Sequence, residues 1–315
     1  MHRRSFLKTA ATGIPLLASL PVRAAPAADG NSPALNLKFG PHLDQFSAHA
    51  GEDILDQIRF AHAQGFRAWE DNRLLTREPA LQQAMGDLFS SLGMTMGVFV
   101  AFGDLVNPVM TAHRMTPGGK RDYGAVWAMV EKAMHDSVAA AKRVGAKWVT
   151  VTPGTNDPSL QPEYQTENIA AMLRRCADIL EPSGLVMVLE SLTNFRHPGV
   201  FVSRLSHAHQ ICKMVGSPSL KILDDLYHQQ CTEGNLIANM IDAWDEIAYI
   251  QVGDVPGRVE PTTGEINFAN IFQWLTDRGY DGVIGMEHHL SGQGLAGEKA
   301  LIDAYRAVNP KPRAG

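Results

Sequence analysis

"IAYIQVGDVPGRVEPTTGEINF" (residues 247–268) opens as a short apolar run and then stops on Gln251, Asp254 and Arg258. Either the run ends in a plain polar loop, or its last side chains stand at the mouth of a barrel, where ligands bind. The rest of the chain decides. Seven further runs are rich in β-formers: LNLKFG (35–40), FRAWE (66–70), TMGVFVAF (95–102), AKWVTVT (146–152), LVMVLES (185–191), LKILDD (220–225) and GVIGMEH (282–288). IAYIQVG (247–253) is the seventh of the eight in chain order. Between them lie segments with helical periodicity, such as residues 124–145 and 166–184. Gly65, Gly93, Gly145 and Gly184 fall where helix C-caps belong.

Strands alternating with helices imply a parallel sheet with right-handed crossovers. Eight such units in about 280 residues fit a single α/β domain, a closed (β/α)8 or TIM barrel over 35–310, better than an open doubly wound sheet. No Gly-x-Gly-x-x-Gly follows the first run, which weakens a dinucleotide-binding reading. There is no internal repeat, low-complexity tract or linker.

The composition, 45% hydrophobic and 19% charged with a net charge of -5, is that of a folded globular chain and offers no basic surface for nucleic acid. The first 27 residues read separately. Arg3-Arg4-Ser5-Phe6-Leu7-Lys8 precedes a modest apolar stretch ending in small residues, a layout that resembles a twin-arginine export signal. The stretch is interrupted by Lys8, Gly13 and Pro15, so no permanent membrane anchor is expected. Cleavage near Ala24 or Ala27 removes four basic residues and no acid, making the mature chain more acidic. A periplasmic or secreted location follows as the expectation. Cys176, Cys212 and Cys231 have neither disulfide-framework nor metal-ligand spacing.

In a TIM barrel the active site lies at the C-terminal ends of the strands. The fifth to eighth runs end on Glu190, Asp225, Gln251 and Glu287. Each carboxylate alone reads more often as a solvated loop residue or a structural ion-pair partner, and Gln251 alone as a capping or loop amide. Together, three carboxylates crowded at one mouth would repel one another unless a cation joined them. Oxygen ligands favour a divalent metal cation such as Mg or Mn. His228, three residues after Asp225, and Arg258, beyond Pro256-Gly257, are placed to touch substrate oxygens. His42 and the pair His288-His289 read as structural.

At these residues the chain resembles the hydroxypyruvate isomerase family of the xylose-isomerase-like barrel superfamily. The resemblance rests on QVGDVPGRVEPTTGEINF (251–268), LKILDDLYHQQCTEGNL (220–236), VLESLTN (188–194) and GYDGVIGMEH (279–288), in that family's order and spacing. It covers the second half of the chain well and the first half loosely. It implies Glu190, Asp225, Gln251 and Glu287 as metal ligands, Glu190 and Glu287 as the acid/base pair, and His228 and Arg258 as substrate contacts. The implied chemistry is isomerisation of a small hydroxy-carbonyl or keto-sugar substrate through an enediolate. Epimerisation and elimination from a 3-keto-glycoside are open on the same site. An endonuclease of the same superfamily would need a His-rich multi-metal site and a basic groove. A non-catalytic sugar-binding barrel would need no acid/base pair. A homo-oligomer is left open. Two segments depart from the pattern: Phe195, Arg196 and His197 stand where specificity is often set, and the loop 103–124 is long enough to act as a lid.

Overall fold

A computed structural model describes residues 32–313; the export-signal reading of residues 1–27 lies outside the described residues. Nine strands line the barrel: β1 (Lys38–Gly40), β2 (Ala68–Trp69), β3 (Thr95–Met96), β4 (Val100–Gly103), β5 (Trp148–Thr152), β6 (Val186–Glu190), β7 (Leu220–Asp225), β8 (Ile247–Gln251) and β9 (Val283–Gly285). Seven form one curled parallel sheet in the order β1-β9-β8-β7-β6-β5-β4, while β2 and β3 pair with each other. Backbone bonds carry the ring across the gaps. Glu70 N donates to Pro41 O at 2.9 Å, Gly97 N to Trp69 O at 2.7 Å and Thr150 N to Phe99 O at 2.8 Å. The architecture is a TIM barrel with eight strand positions, the third divided between β3 and β4.

That division departs from the single strand expected over 95–102. Gly97, between the two pieces, lies against the hydroxyl of Tyr249, and a Cβ there would come within 2.2 Å of it. Tyr249 fills the barrel interior and its hydroxyl accepts from Val98 N at 3.3 Å, a bond a regular ladder would have used. The ladder gives way to the ring.

The helices form by ordinary local chemistry. Asp53 and Asp122 accept from the first-turn N–H groups of Leu55 and Ala125. Pro79 and Pro162 open their helices at the position that needs no N–H. Gly93 and Gly145 close theirs in the left-handed conformation, as their positions predict. Helix Tyr123–Val144 buries Val126, Val130, Met134, Ser137, Ala141 and Val144, one helical stripe facing the sheet.

Inside the ring, Ala68, Val98, Val188, Leu223, Tyr249 and Val283 form a separate apolar plug. It closes the barrel below and leaves its C-terminal mouth to polar side chains. The long loop after β4 is fastened rather than free. Arg114 pairs with Asp157 at 2.8 Å, and Met110 N donates to Pro153 O at 3.0 Å. At its tip Arg114 Nη1 donates to Gly119 O at 2.7 Å, and Gly119 N to Thr116 O at 3.0 Å.

Candidate active site

Side chains alternate along a strand, so the residue two beyond a plug residue also points inward. Ala68 is followed by Glu70, Val188 by Glu190, Leu223 by Asp225, Tyr249 by Gln251, and Val283 by Gly285 and then Glu287. The polar layer is the next floor of the same barrel. In register, Asp225 faces Gln251 and Gln251 faces Gly285.

Asp225 is buried and fully engaged. Oδ1 accepts from Tyr227 N at 2.8 Å, capping the following helix, and Oδ2 lies 2.9 Å from the Arg258 guanidinium. The same guanidinium nitrogen is 2.8 Å from Glu287 Oε2, and Asn72 Nδ2 donates to Glu287 Oε1 at 2.8 Å. Arg258 therefore bridges the carboxylates at the ends of β7 and β9, the two strands that flank β8. Its stem passes Gly253, where a Cβ would sit 3.0 Å from Arg258 Cγ. Asp254 holds the turn beneath it, accepting from Val255 N, Gly264 N and Ile266 N. The opening stretch thus divides its labour: Gln251 faces the mouth, Asp254 shapes the loop, and Arg258 returns over the site.

Glu190 has no comparable clamp. Burial, with the charges of Glu287 and Asp225 behind it, pushes its pKa well above the usual carboxylate range. Burial also raises Glu287, but Arg258 opposes the shift. His228 is buried at 1% exposure, and burial pushes its pKa down to about 4. Its Nδ1 accepts from Thr193 N at 3.3 Å, so in the neutral ring the proton sits on Nε2. Nε2 lies 3.5 Å from Asp225 Oδ2 and 3.8 Å from Glu190 Oε1.

Ligand atoms of Glu190, Asp225 and His228 come within 4.8 Å of one another, which alone would suggest a three-residue cation site. The Thr193 bond argues for a different division. A protonated Nε2 donates and cannot ligate, so His228 fits a substrate oxygen. Gln251 Oε1 is the better fourth donor. It is buried, and finds no hydrogen-bond partner among the described residues. Burying an amide oxygen without a partner is costly, and a cation would remove that cost. The oxygens of Glu190, Asp225, Gln251 and Glu287 fit a hard divalent ion.

Two chambers open from this floor. One of about 250 Å³ lies over Glu190, His228 and Thr150, with His197 and Leu192 in its wall. The other, about 400 Å³, is lined by His42, Asn72 and His289. Arg258 and Glu287 border both. Of the variable loop, His197 enters the first chamber, Arg196 Nε donates to Tyr227 Oη at 2.9 Å, and Phe195 is 77% exposed.

Sequence reasoning passed over Glu70, Asn72 and Thr150. Glu70 is fully buried; Oε1 accepts from Gln251 Nε2 at 2.6 Å, and Oε2 lies 2.7 Å from His42 Nε2. Burial alone would depress the His42 pKa, but the Glu70 charge and hydrogen bond raise it overall. Its available signal was that FRAWE ends on a carboxylate just as VLE does. His288 contacts the Tyr305 hydroxyl at 2.9 Å and the His289 carbonyl at 2.8 Å, away from the carboxylates.

Comparison with known proteins gives the family. Residues 58–308 match the model of the xylose isomerase-like TIM barrel family, and the chain belongs to that family. A 2-oxo-tetronate isomerase of Cupriavidus necator is 30% identical over 254 residues, 80% of this chain and 92% of the relative. The hydroxypyruvate isomerase of Escherichia coli is 31% identical over 180 residues, 56% of this chain and 69% of the relative. With these relatives the chain is an isomerase of the hydroxypyruvate isomerase group. Among solved structures, the 3-keto-D-glucoside 4-epimerase of E. coli aligns with a TM-score of 0.69 at 18% identity, covering 86% of this chain and 98% of that one. An AP endonuclease, family 2, from Brucella melitensis aligns at 0.68 and 22%, covering 83% and 96%. At those identities the likeness is one of fold.

Proposed function

We propose that the protein is a metal-dependent isomerase of a small hydroxy-carbonyl or keto-sugar substrate, working by proton transfer next to a carbonyl. The observation that carries this reading is that the buried Glu190, Asp225 and unpartnered Gln251 oxygen share one floor of the barrel, with the half-buried Glu287 at its edge. These four residues would hold the cation. A divalent ion there would supply Lewis-acid stabilisation of an enediolate.

The chain's own groups do the rest. Glu287, clamped from both sides by Asn72 and Arg258, removes the carbon-bound proton. Glu190, which has no such donors, returns a proton at the neighbouring carbon, while the hydroxyl proton passes to the former carbonyl oxygen and exchange with solvent restores both carboxyl groups. The two carboxyl groups differ in their hydrogen-bond partners, which suits different roles. His228 Nε2–H and the Arg258 guanidinium orient substrate oxygens, and the plug below excludes water from the floor.

A second reading keeps the same floor. The 400 Å³ chamber beyond Arg258 leaves room for more than a three-carbon acid, which favours a ketose or a 3-keto-glycoside undergoing epimerisation or elimination. Metal analysis of the purified protein tests the cation. A screen of hydroxy-carbonyl acids and keto-sugars for deuterium uptake from D2O tests the chemistry. A metal-free protein inert towards every compound, with or without added Mg or Mn, would overturn both readings.

We also propose export before function. Changing Arg3 and Arg4 to Lys should leave the precursor in the cytoplasm in a fractionation assay. Normal export of that variant would remove the twin-arginine reading.

A further inference from the structure

We infer that Glu70 is a positioning residue that turns the oxygen of Gln251, rather than its nitrogen, into the cation pocket. This rests on the proposed ligand role of Gln251. A primary amide is nearly symmetric in shape, so only its neighbours decide which end faces which way. A carboxylate oxygen accepts and does not donate. With Glu70 Oε1 2.6 Å from Gln251 Nε2, the nitrogen is committed to Glu70 and the unpartnered Oε1 is left for the mouth.

Three features show that the contact is built. Glu70 is fully buried, which a carboxylate tolerates only with partners, and both of its oxygens have one. The second oxygen is held by His42 Nε2 at 2.7 Å, from the loop after β1, so the carboxylate is gripped at both ends. The third feature is Gly285. It sits beside Gln251 in register, at an inward-pointing position between Val283 and Glu287. A Cβ there would lie 2.0 Å from Glu70 Oε2, and any side chain would displace the carboxylate. Glycine at this point of β9 clears the path along which β2 reaches β8.

Such supporting contacts typically change metal affinity by about 10- to 100-fold when removed. The test is Mn²⁺ titration calorimetry on the full protein stripped of metal, with thermal melting alongside. Glu70→Gln is isosteric but lets Gln251 bond in either orientation, so Mn²⁺ binding should weaken by about tenfold. Glu70→Gln combined with Gln251→Glu restores a donor facing an acceptor and should regain most of that affinity. Gly285→Ala attacks the same bond from the other strand, and should weaken binding although Glu70 is intact. It decides the question should Glu70→Gln not fold. A purely structural Glu70 would lower the melting temperature while the folded protein bound Mn²⁺ as wild type, and that result overturns the proposal. Gln251→Leu separates the two levels. If it loses affinity while Glu70→Gln and Gly285→Ala keep it, the ligand stands and the positioning role falls. If Gln251→Leu also binds normally, the ligand role itself is wrong.

Discussion

Strands β6, β7 and β8 run five or six residues in unbroken or once-shifted register, and each ends on a residue of the polar floor. On the opposite side β2 and β3 run two residues each and pair only with one another. The first group supplies Glu190, Asp225 and Gln251 directly. The loops of the second group supply Glu70 and Asn72, and the loop after β1 supplies His42; together they hold Gln251 and Glu287 in place. The regular half presents the proposed ligand atoms because extended register fixes where each side chain points. The irregular half reaches across the barrel because its backbone is free to depart from the ladder. Chemistry and support are thus drawn from different sides of one ring.

Substitutions can break or sharpen that contrast. Asp225→Ala should have the largest effect: it removes a proposed ligand oxygen outright and leaves Arg258 without the carboxylate 2.9 Å away. Metal content should fall to background and turnover by roughly three orders of magnitude or more, read by metal analysis and steady-state kinetics. Asn72→Ala, on the supporting side, should cost roughly tenfold in kcat with little change in metal content. It deletes one hydrogen bond to a charged oxygen and leaves Arg258 on the other. An equal loss in both variants would erase the distinction between the two halves.

A smaller effect concerns stability on the regular side. Asp224 points away from the floor, fully buried, and neither oxygen finds a hydrogen-bond partner among the described residues. Burial, with the charges of Asp225 and Glu233, pushes its pKa from 3.8 up to about 8. The native protein therefore keeps a proton that the unfolded chain releases, and stability falls as pH rises through that window. Asp224→Asn should flatten the fall and gain about 1–3 kcal/mol at pH 8 relative to wild type, measured by urea unfolding at pH 5 and pH 8. An identical pH dependence in both proteins would show that Asp224 is ionised or solvated in the native state.

The same contrast explains what could be seen in the sequence. Glu190, Asp225 and Gln251 were legible because apolar runs of strand length stop on them, and strand period then fixes their direction. The helices between were legible from periodicity and from caps such as Asp122 and Gly145. Glu70 was not, although FRAWE ends as VLE does. Its meaning depends on Gln251, 181 residues away, and on the space left by Gly285. Asn72 lies in a turn whose composition says only that it is a turn. Thr150, whose buried hydroxyl has no partner among the described residues, reads in sequence as an ordinary β-branched strand residue. His228 was legible as a neighbour of Asp225, but the proton on its Nε2 follows from the Thr193 N–H, which no spacing reveals. The break at Gly97 was hidden because it is caused by Tyr249 from across the barrel.

The central claim is that two carboxylates with different partners move a proton on this floor, and Glu287 tests it most directly. Glu287→Gln keeps an oxygen for the cation and removes the base. On a substrate found in the deuterium screen, the exchange rate of wild type and variant would be followed by NMR in D2O, with metal content and substrate affinity measured in parallel. The account predicts retained metal and substrate binding with exchange slowed by roughly two to four orders of magnitude. Near-normal exchange in Glu287→Gln would contradict it.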